Sequence, residues 1–289
     1  MSAIWRSRGG PASPGPVNYR HAYHAGNHAD VLKHAVLLFC LDALKRKETP
    51  FAALDTHAGR GTYDLLSDEA LRSPEWNDGI ARLMDWPDPP PLIARYLEAV
   101  RTFNLAGELR TYPGSPALIA QALRGDDVLA ACELHPEEFA ALRRTLPRAP
   151  NIRLHERDGY EALGALLPPA ERRGLVLIDP PYEAPNELAL TAAALGAALK
   201  RFGHGMYLWW RPLKSESALA AADDEARARG AKETLRADLW VAAPTKEGRL
   251  AGSSLYLVNP PFGLREALEQ ALPFLADALT KGQSGWRLR

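Results

Sequence analysis

The chain has 289 residues, is 46% hydrophobic, and carries 35 Lys and Arg against 35 Asp and Glu. This suits one large α/β domain or two small ones, and zero net charge excludes a globally basic nucleic-acid binder, leaving only a local patch for that role. With no apolar run near 18 residues, no apolar leader at the start and only two distant cysteines, Cys40 and Cys132, a cytoplasmic protein is expected, with no membrane span and no secretory signal.

Residues 1–16 are rich in Gly, Pro and Ser and are expected to be a disordered extension, with residues 17–289 forming a single domain. Four of the eight histidines, His21, His24, His28 and His34, then fall within 14 residues. Asn27 is placed to cap a helix from about His28 to Lys47, with an apolar stripe of Val31, Ala35, Leu38, Phe39 and Leu44. Lys45, Arg46 and Lys47 complement the dipole of its last turn. Residues 1–60 hold eight Lys or Arg against four Asp or Glu, so this fifth of the chain is its basic part.

Phe51–Asp55 reads as the first strand, followed by a glycine-bearing loop, Thr56–Tyr63. From Asp64 to Pro113 the pattern is helical and punctuated by proline, with no strand: a helical insertion after the first strand. Ser115 and Pro116 restart a helix as N-cap and first helical residue. Further strands are read at Asp127–Glu133, Ile152–Glu156, Leu175–Ile178 and Met206–Trp210. Glu233–Ala242 and Ser253–Val258 follow as a closing antiparallel pair, and Leu264–Leu279 as a final helix. Strands alternating with helices imply a doubly wound, mostly parallel, seven-stranded sheet with right-handed crossovers.

In such a sheet the strand ends carrying unusual residues share one edge. They are Asp55 with its glycine loop, Glu133, Asp158-Gly159 and Asp179. Leu175–Ile178 is apolar throughout, as a strand buried on both faces requires. It is stopped by Pro180 and Pro181, which have no N–H for the ladder. Asp179 and a proline carbonyl can accept the two hydrogens of a planar exocyclic amine while Tyr182 stacks on the ring. A dinucleotide is disfavoured: Gly59 and Gly61 fit the usual fingerprint, but its third place is Asp64, an acid that would repel a pyrophosphate. S-adenosylmethionine has no phosphate, and its sulfonium tolerates carboxylates. Asn259-Pro260-Pro261-Phe262 is a second loop of the same kind. If its strand runs antiparallel, it lies at the opposite end of the sheet and is a structural turn.

Residues Asn18–His34 (NYRHAYHAGNHADVLKH), with LDTHAGRGTY, TYPGSP, ELHP, RDGY, RRGLVLIDPPYE and NPPF in order, resemble the RlmJ-type 23S ribosomal RNA adenine-N6 methyltransferases from Val17 to the last helix. The resemblance implies a Rossmann-like, S-adenosylmethionine-dependent methyltransferase that modifies one adenine of 23S ribosomal RNA. It implies that His34, His57, Ser115, Glu133, Asp158, Gly159 and Asp179 contact or line the cofactor site. It further implies Asp179 as the catalytic acceptor and Tyr19 as a residue meeting the RNA. Family members begin near the Tyr-Arg-His stretch, so residues 1–16 are expected to be a misassigned start or a dispensable tail.

His24 and His28 have a zinc-like i, i+4 spacing. They precede or straddle the helix cap and belong to no H-E-x-x-H pattern, so no metal is expected. Trp209 and Trp210 are read as core and edge packing rather than a stacking platform. Tyr160 could flank the cofactor adenine or simply start a helix. RNA contacts are expected from the basic N-terminal segment and the insertion, and the protein is expected to act as a monomer. The rival readings are a DNA adenine or protein glutamine methylase, a non-catalytic RNA-binding protein of the same fold, and a histidine-based metallohydrolase.

Overall fold

A computed structural model describes residues 20–243, 250 and 252–289. The expected extension, residues 1–16, and the expected RNA contact Tyr19 lie outside the described residues. The elements run in chain order as α1 (His28–Lys45), β1 (Ala52–Asp55), β2 (Thr62–Asp64), α2 (Asp68–Arg72), α3 (Ile80–Met84), α4 (Pro91–Thr102), β3 (Thr111–Pro113), α5 (Ser115–Ala122), β4 (Val128–Glu133) and α6 (Pro136–Thr145). They continue as β5 (Ile152–Glu156), α7 (Gly159–Ala165), β6 (Gly174–Ile178), α8 (Glu187–Arg201), β7 (Met206–Pro212), α9 (Glu216–Ala228), β8 (Thr234–Trp240), β9 (Gly252–Val258), α10 (Leu264–Ala278) and β10 (Gly285–Leu288).

The main sheet has the order β10-β8-β9-β7-β6-β1-β4-β5. The five strands from β7 to β5 are parallel, and β9, β8 and β10 add antiparallel pairs. Among the described residues this sheet has eight strands where seven were expected, because β10 pairs with β8. Its four residues are too short to display a readable alternation. Strand β6 is buried along its whole length because it lies between β1 and β7. A Cβ on Gly174 would lie 2.1 Å from the Ala52 carbonyl oxygen, so the tight β6–β1 start requires glycine.

One face of the sheet is covered by α1, α4, α5 and α10, the other by α7, α8 and α9. Helix α1 has no single apolar stripe. Every residue from His28 to Leu38 is buried, with the sheet on one side and α4 and α5 on the other. Asn27 caps α1, its Oδ1 accepting from the N–H groups of Ala29 and Asp30. The insertion is helical, yet β3 at its end pairs with β2 in a small second sheet, correcting the strand-free reading. Strands of three residues leave no periodic signal. None of the described helices is long and apolar enough to cross a membrane.

Strand β9 runs antiparallel to β7, with Val258 opposite Tyr207 near the start of β7. Asn259–Phe262 therefore sits at the opposite end of the sheet from Asp179. There Asn259, at φ 55°, donates to the carbonyls of Gly203 (3.0 Å) and Gly205 (2.7 Å). It is a turn, as strand direction required.

Candidate active site

The carboxyl ends of β1, β4, β5 and β6 open into one cavity of about 1210 Å³. Its lining includes His34, His57, Ser115, Glu133, Asp158, Gly159, Asp179, Pro180 and Tyr182. Every site residue singled out in the sequence except Tyr19 is thus brought to one place. A cavity of this size exceeds what one small molecule commonly fills.

One half of the cavity is built from backbone and carboxylates. Glu133, ending β4, accepts the N–H of Gly59 through Oε2 (2.8 Å) and that of His135 through Oε1 (2.7 Å). Burial nevertheless pushes its carboxyl up from the usual range. Asp158 caps α7, accepting from Tyr160 and Glu161 through Oδ1. Its Oδ2 makes no hydrogen bond among the described residues and remains available to a ligand. Gly159 presses on the β1 loop: a Cβ there would lie 2.2 Å from the Thr56 carbonyl oxygen. His57 stands edge-on to Tyr160, ring centroids 5.5 Å apart, and burial lowers its basicity. Tyr160 starts α7 and anchors its hydroxyl on Glu187 and Thr191.

Ser115 does not cap its helix. Gly114 occupies the cap position without a side-chain bond, and the Ser115 hydroxyl donates to Asp55 Oδ2 at 2.7 Å. Asp55 is fully buried beneath the glycine loop, and burial pushes its carboxyl up to about 7. Ser115 is itself the first helical residue, so its hydroxyl bonds Asp55 and does not cap the first-turn N–H groups.

The other half is organised by α1. Lys33 Nζ lies 2.5 Å from Asp179 Oδ2 and 2.8 Å from Asp30 Oδ1. Lys33 and Asp30 are both buried, and Asp30 also accepts from the Gly26 N–H and the His21 ring at 2.9 Å each. Against its desolvation, the His21 and Lys33 charges hold Asp30 well below the carboxylate range. The two carboxylates, outweighing burial, keep Lys33 a cation. His34 is different: burial pushes it down to about 3, so it is a neutral ring, bonded through Nδ1 to the Tyr112 hydroxyl. Tyr182, at φ 56°, is fixed by its hydroxyl, which donates to the Trp210 carbonyl and accepts from Trp209 Nε1, both at 2.7 Å. Trp209 is core, as expected, whereas Trp210 reaches the cavity wall, edge-on to Tyr182 and 6.0 Å from Lys33 Nζ.

A family profile described as RsmJ, "Ribosomal RNA large subunit methyltransferase D, RlmJ", matches residues 48–289. The chain belongs to this RlmJ family. It is 38% identical over 269 residues to the ribosomal RNA large subunit methyltransferase J of Escherichia coli K12, covering 93% of this chain and 96% of that one. It is 39% identical over 272 residues to the protein of the same name from Haemophilus influenzae, covering 93% and 97%. Among solved structures, protein LPL1258 of Legionella pneumophila superposes with a TM-score of 0.85 at 34% identity, covering 92% of this chain and 98% of that one. The fold of this RlmJ-family chain is accordingly the Rossmann-like methyltransferase fold, extended by β10.

Sequence reasoning passed over Asp30 and Lys33 in this RlmJ-family site. The signal that could have found them is their spacing: Asp30, Lys33 and His34 at i, i+3, i+4 lie on one face of a buried helix. Among the described residues no group of three His, Cys, Asp or Glu is placed to hold a metal ion. Three histidines of the cluster are committed elsewhere, His21 to Asp30, His24 to Glu75 and His34 to Tyr112.

Proposed function

We propose that the protein methylates the N6 amine of one adenine in large-subunit ribosomal RNA, using S-adenosylmethionine. The observation that carries this reading is the Asp179 carboxylate. It ends the central strand β6 with Oδ2 held by Lys33, in a cavity whose one half is carboxylate-lined and whose other half is walled by Tyr182 and Trp210. The curated relatives are named for the same class of substrate.

The residues suit the cofactor. Glu133, its two oxygens already held by backbone N–H groups, keeps lone pairs for ribose hydroxyls. Asp158 Oδ2 is free to accept from an adenine amine. Gly159 allows backbone to approach where a side chain would collide with Thr56. The acids of this half favour a sulfonium over a pyrophosphate. S-adenosylmethionine supplies, when bound, an electrophilic methyl group.

Adenine N6 is a weak nucleophile because its lone pair is delocalised into the ring. With Oδ2 taken by Lys33, Asp179 Oδ1 and the Pro180 carbonyl accept the two amine hydrogens and localise that lone pair. The base must leave its helix to reach this pocket, and Tyr182 offers it a stacking face. The Tyr182 backbone is in the left-handed region, which costs on the order of 1 kcal/mol for a non-glycine residue. Its two hydroxyl hydrogen bonds hold it there. When the methyl group is transferred to N6, Asp179 would take up the amine proton, directly or through water. Most of the acceleration is positioning and removal of water. To test this, ribosomal RNA from cells carrying wild type or Asp179→Ala is digested and weighed by mass spectrometry. An unchanged level of N6-methyladenine in the large-subunit RNA would overturn the reading. Purified protein offered DNA or peptide in parallel separates the other amine substrates.

A further inference from the structure

The proposed activity requires a surface for a long polyanion, and the charge of the chain sets where that surface can be. The insertion is not it: residues 64–113 carry five Arg against nine Asp or Glu. The basic residues of the N-terminal part are mostly neutralised where they are described. Arg20 pairs with Glu137, Lys33 with Asp30 and Asp179, Lys45 with Asp42, and Arg60 with Glu138.

One dense run without such partners lies on the far edge of the sheet. Residues 139–157 contain Arg143, Arg144, Arg148, Arg153 and Arg157 against one acid, Glu156. None of these five arginines forms an ion pair among the described residues, and the first four are exposed. Arg143, Arg144 and Arg148 converge on an open groove of about 780 Å³ along β5, floored by Leu146, Ile152 and Leu154. Strand β5 is the last of the sheet, so among the described residues one side of it has no partner strand. Its other face presents Arg153 and Arg157, whose charge, added to burial, lowers the basicity of His155 between them. Arg157 leads into Asp158 and Gly159 of the main cavity, whereas Arg143, Arg144 and Arg148 lie toward the start of β5, so the groove is set apart from the site and would meet RNA away from the target nucleotide.

Two simpler roles account for part of this. Arg143 and Arg144 fall in the last turn of α6 and complement its dipole. Charged residues on an edge strand also discourage sheet-to-sheet pairing. Neither accounts for Arg148, which lies beyond the helix and before the strand yet shares the groove. Nor does either account for the lack of acidic partners in a chain of zero net charge, where most other cations are paired.

We propose that the α6–β5 groove, through Arg143, Arg144 and Arg148, binds the phosphate backbone of the substrate RNA outside the target nucleotide. Guanidinium forks match phosphate oxygens and stay charged at any working pH. The inference rests on the RNA methyltransferase reading above, and the experiment keeps the two apart. An in vitro transcript of 23S ribosomal RNA is titrated with wild type, with Arg143→Gln/Arg144→Gln/Arg148→Gln, and with the triple lysine variant, between about 50 and 200 mM salt. Methyl transfer at saturating RNA and cofactor binding by calorimetry are measured in parallel.

The glutamine variant is expected to bind at least tenfold more weakly at the lower salt. The slope of log Kd against log salt should fall by about two to three, close to one per lost phosphate contact. Transfer at saturation and cofactor affinity should stay as in wild type, and the lysine variant should keep most of the slope. An unchanged Kd and slope in the glutamine variant, or aggregation as its only defect, overturns the groove while leaving the methyltransferase reading standing. Equal loss in the lysine and glutamine variants assigns the arginines to packing and also overturns it. A wild type that transfers no methyl to the transcript overturns both.

Discussion

Replacing Lys33 by methionine tests the geometry most directly. The substitution keeps the length and apolar stem of the side chain and deletes the charge lying between Asp30 and Asp179. Asp30 would then be left fully buried, with the Gly26 N–H and the His21 ring as hydrogen-bond partners and the neutral His34 ring 3.9 Å away. Removing one member of a buried pair costs about 3–5 kcal/mol, because the remaining charge is uncompensated. For a chain of this size that lowers the thermal midpoint by roughly 10 °C. Separately, Asp179 loses the contact that fixes Oδ2. A hydrogen bond to a charged group is worth about 1.5–3 kcal/mol, so kcat should fall about 10- to 150-fold. The assay is methyl transfer to the ribosomal RNA transcript, with KM for RNA and cofactor taken separately, alongside thermal unfolding. The double variant Asp30→Asn/Lys33→Met separates the effects. With no buried acid to neutralise it should regain most of the stability, while kcat stays low. A Lys33→Met protein with wild-type kcat would refute the assigned orientation of Asp179. A double variant that recovers both stability and rate would reduce Lys33 to a structural counter-ion.

Tyr182→Phe removes the donor to the Trp210 carbonyl and strands the buried Trp209 N–H. It should destabilise by about 1–3 kcal/mol, read as a lower denaturant midpoint, and lower kcat more than it raises KM for the cofactor. Gly159→Ala forces a Cβ against the Thr56 carbonyl, so cofactor affinity by calorimetry should drop at least tenfold. Asp55 carries the pH prediction. Its folded-state carboxyl is raised to about 7, so its contribution to stability is full below about pH 4 and is lost as pH rises through 7. Relative to wild type, Asp55→Asn should therefore gain stability as pH goes from 5 to 8, by roughly 2–3 kcal/mol. Equilibrium unfolding across that range measures the difference directly, and a pH-independent difference would exclude the assignment. The comparison with wild type matters because burial holds His28 near 4 and His34 near 3. Those two rings cost stability as pH falls through about 6.5, opposite to Asp55.

What could be read from the chain was whatever strand direction dictates. The parallel run β7-β6-β1-β4-β5 sends Asp55, Glu133, Asp158 and Asp179 to one edge, and an apolar strand ended by an acid and two prolines is visible without coordinates. The same logic disposed of Asn259–Phe262. What could not be read were contacts spanning the chain. Lys33 meets Asp179 across 146 positions, and nothing in the periodicity of α1 says which acid its lysine will find. Ser115 misled because a serine before a proline at a helix start fits a cap in isolation. The partner that its hydroxyl finds, Asp55, is 60 residues away. Strand β10 and the β2–β3 pair were missed because strands of three or four residues carry too few side chains to alternate.

The insertion braces the site rather than standing apart from it. Helix α1 precedes the sheet, and its first two turns supply Asp30, Lys33 and His34 to a cavity built from strand ends far along the chain. Something must hold those turns, and the insertion does so at both ends of its own sequence. Near its start, Glu75 accepts from Asn27 and bonds the His24 ring, and the Ile80 N–H donates to the Gly26 carbonyl. Gly79 is a glycine because a Cβ there would lie 2.0 Å from that same carbonyl oxygen. Near its end, Tyr96 and Tyr112 join hydroxyls at 3.0 Å, and Tyr112 bonds His34. A neutral His34 can serve Tyr112 as acceptor, so its depressed basicity keeps this brace intact across the working pH range. Glu75→Gln should therefore loosen α1 without touching Asp179. The consequence to measure is faster amide exchange over residues 26–34, accompanied by a higher KM for RNA and a kcat closer to wild type than that of Lys33→Met. Unchanged exchange in that segment would remove the insertion from any role in positioning the Asp179 carboxylate.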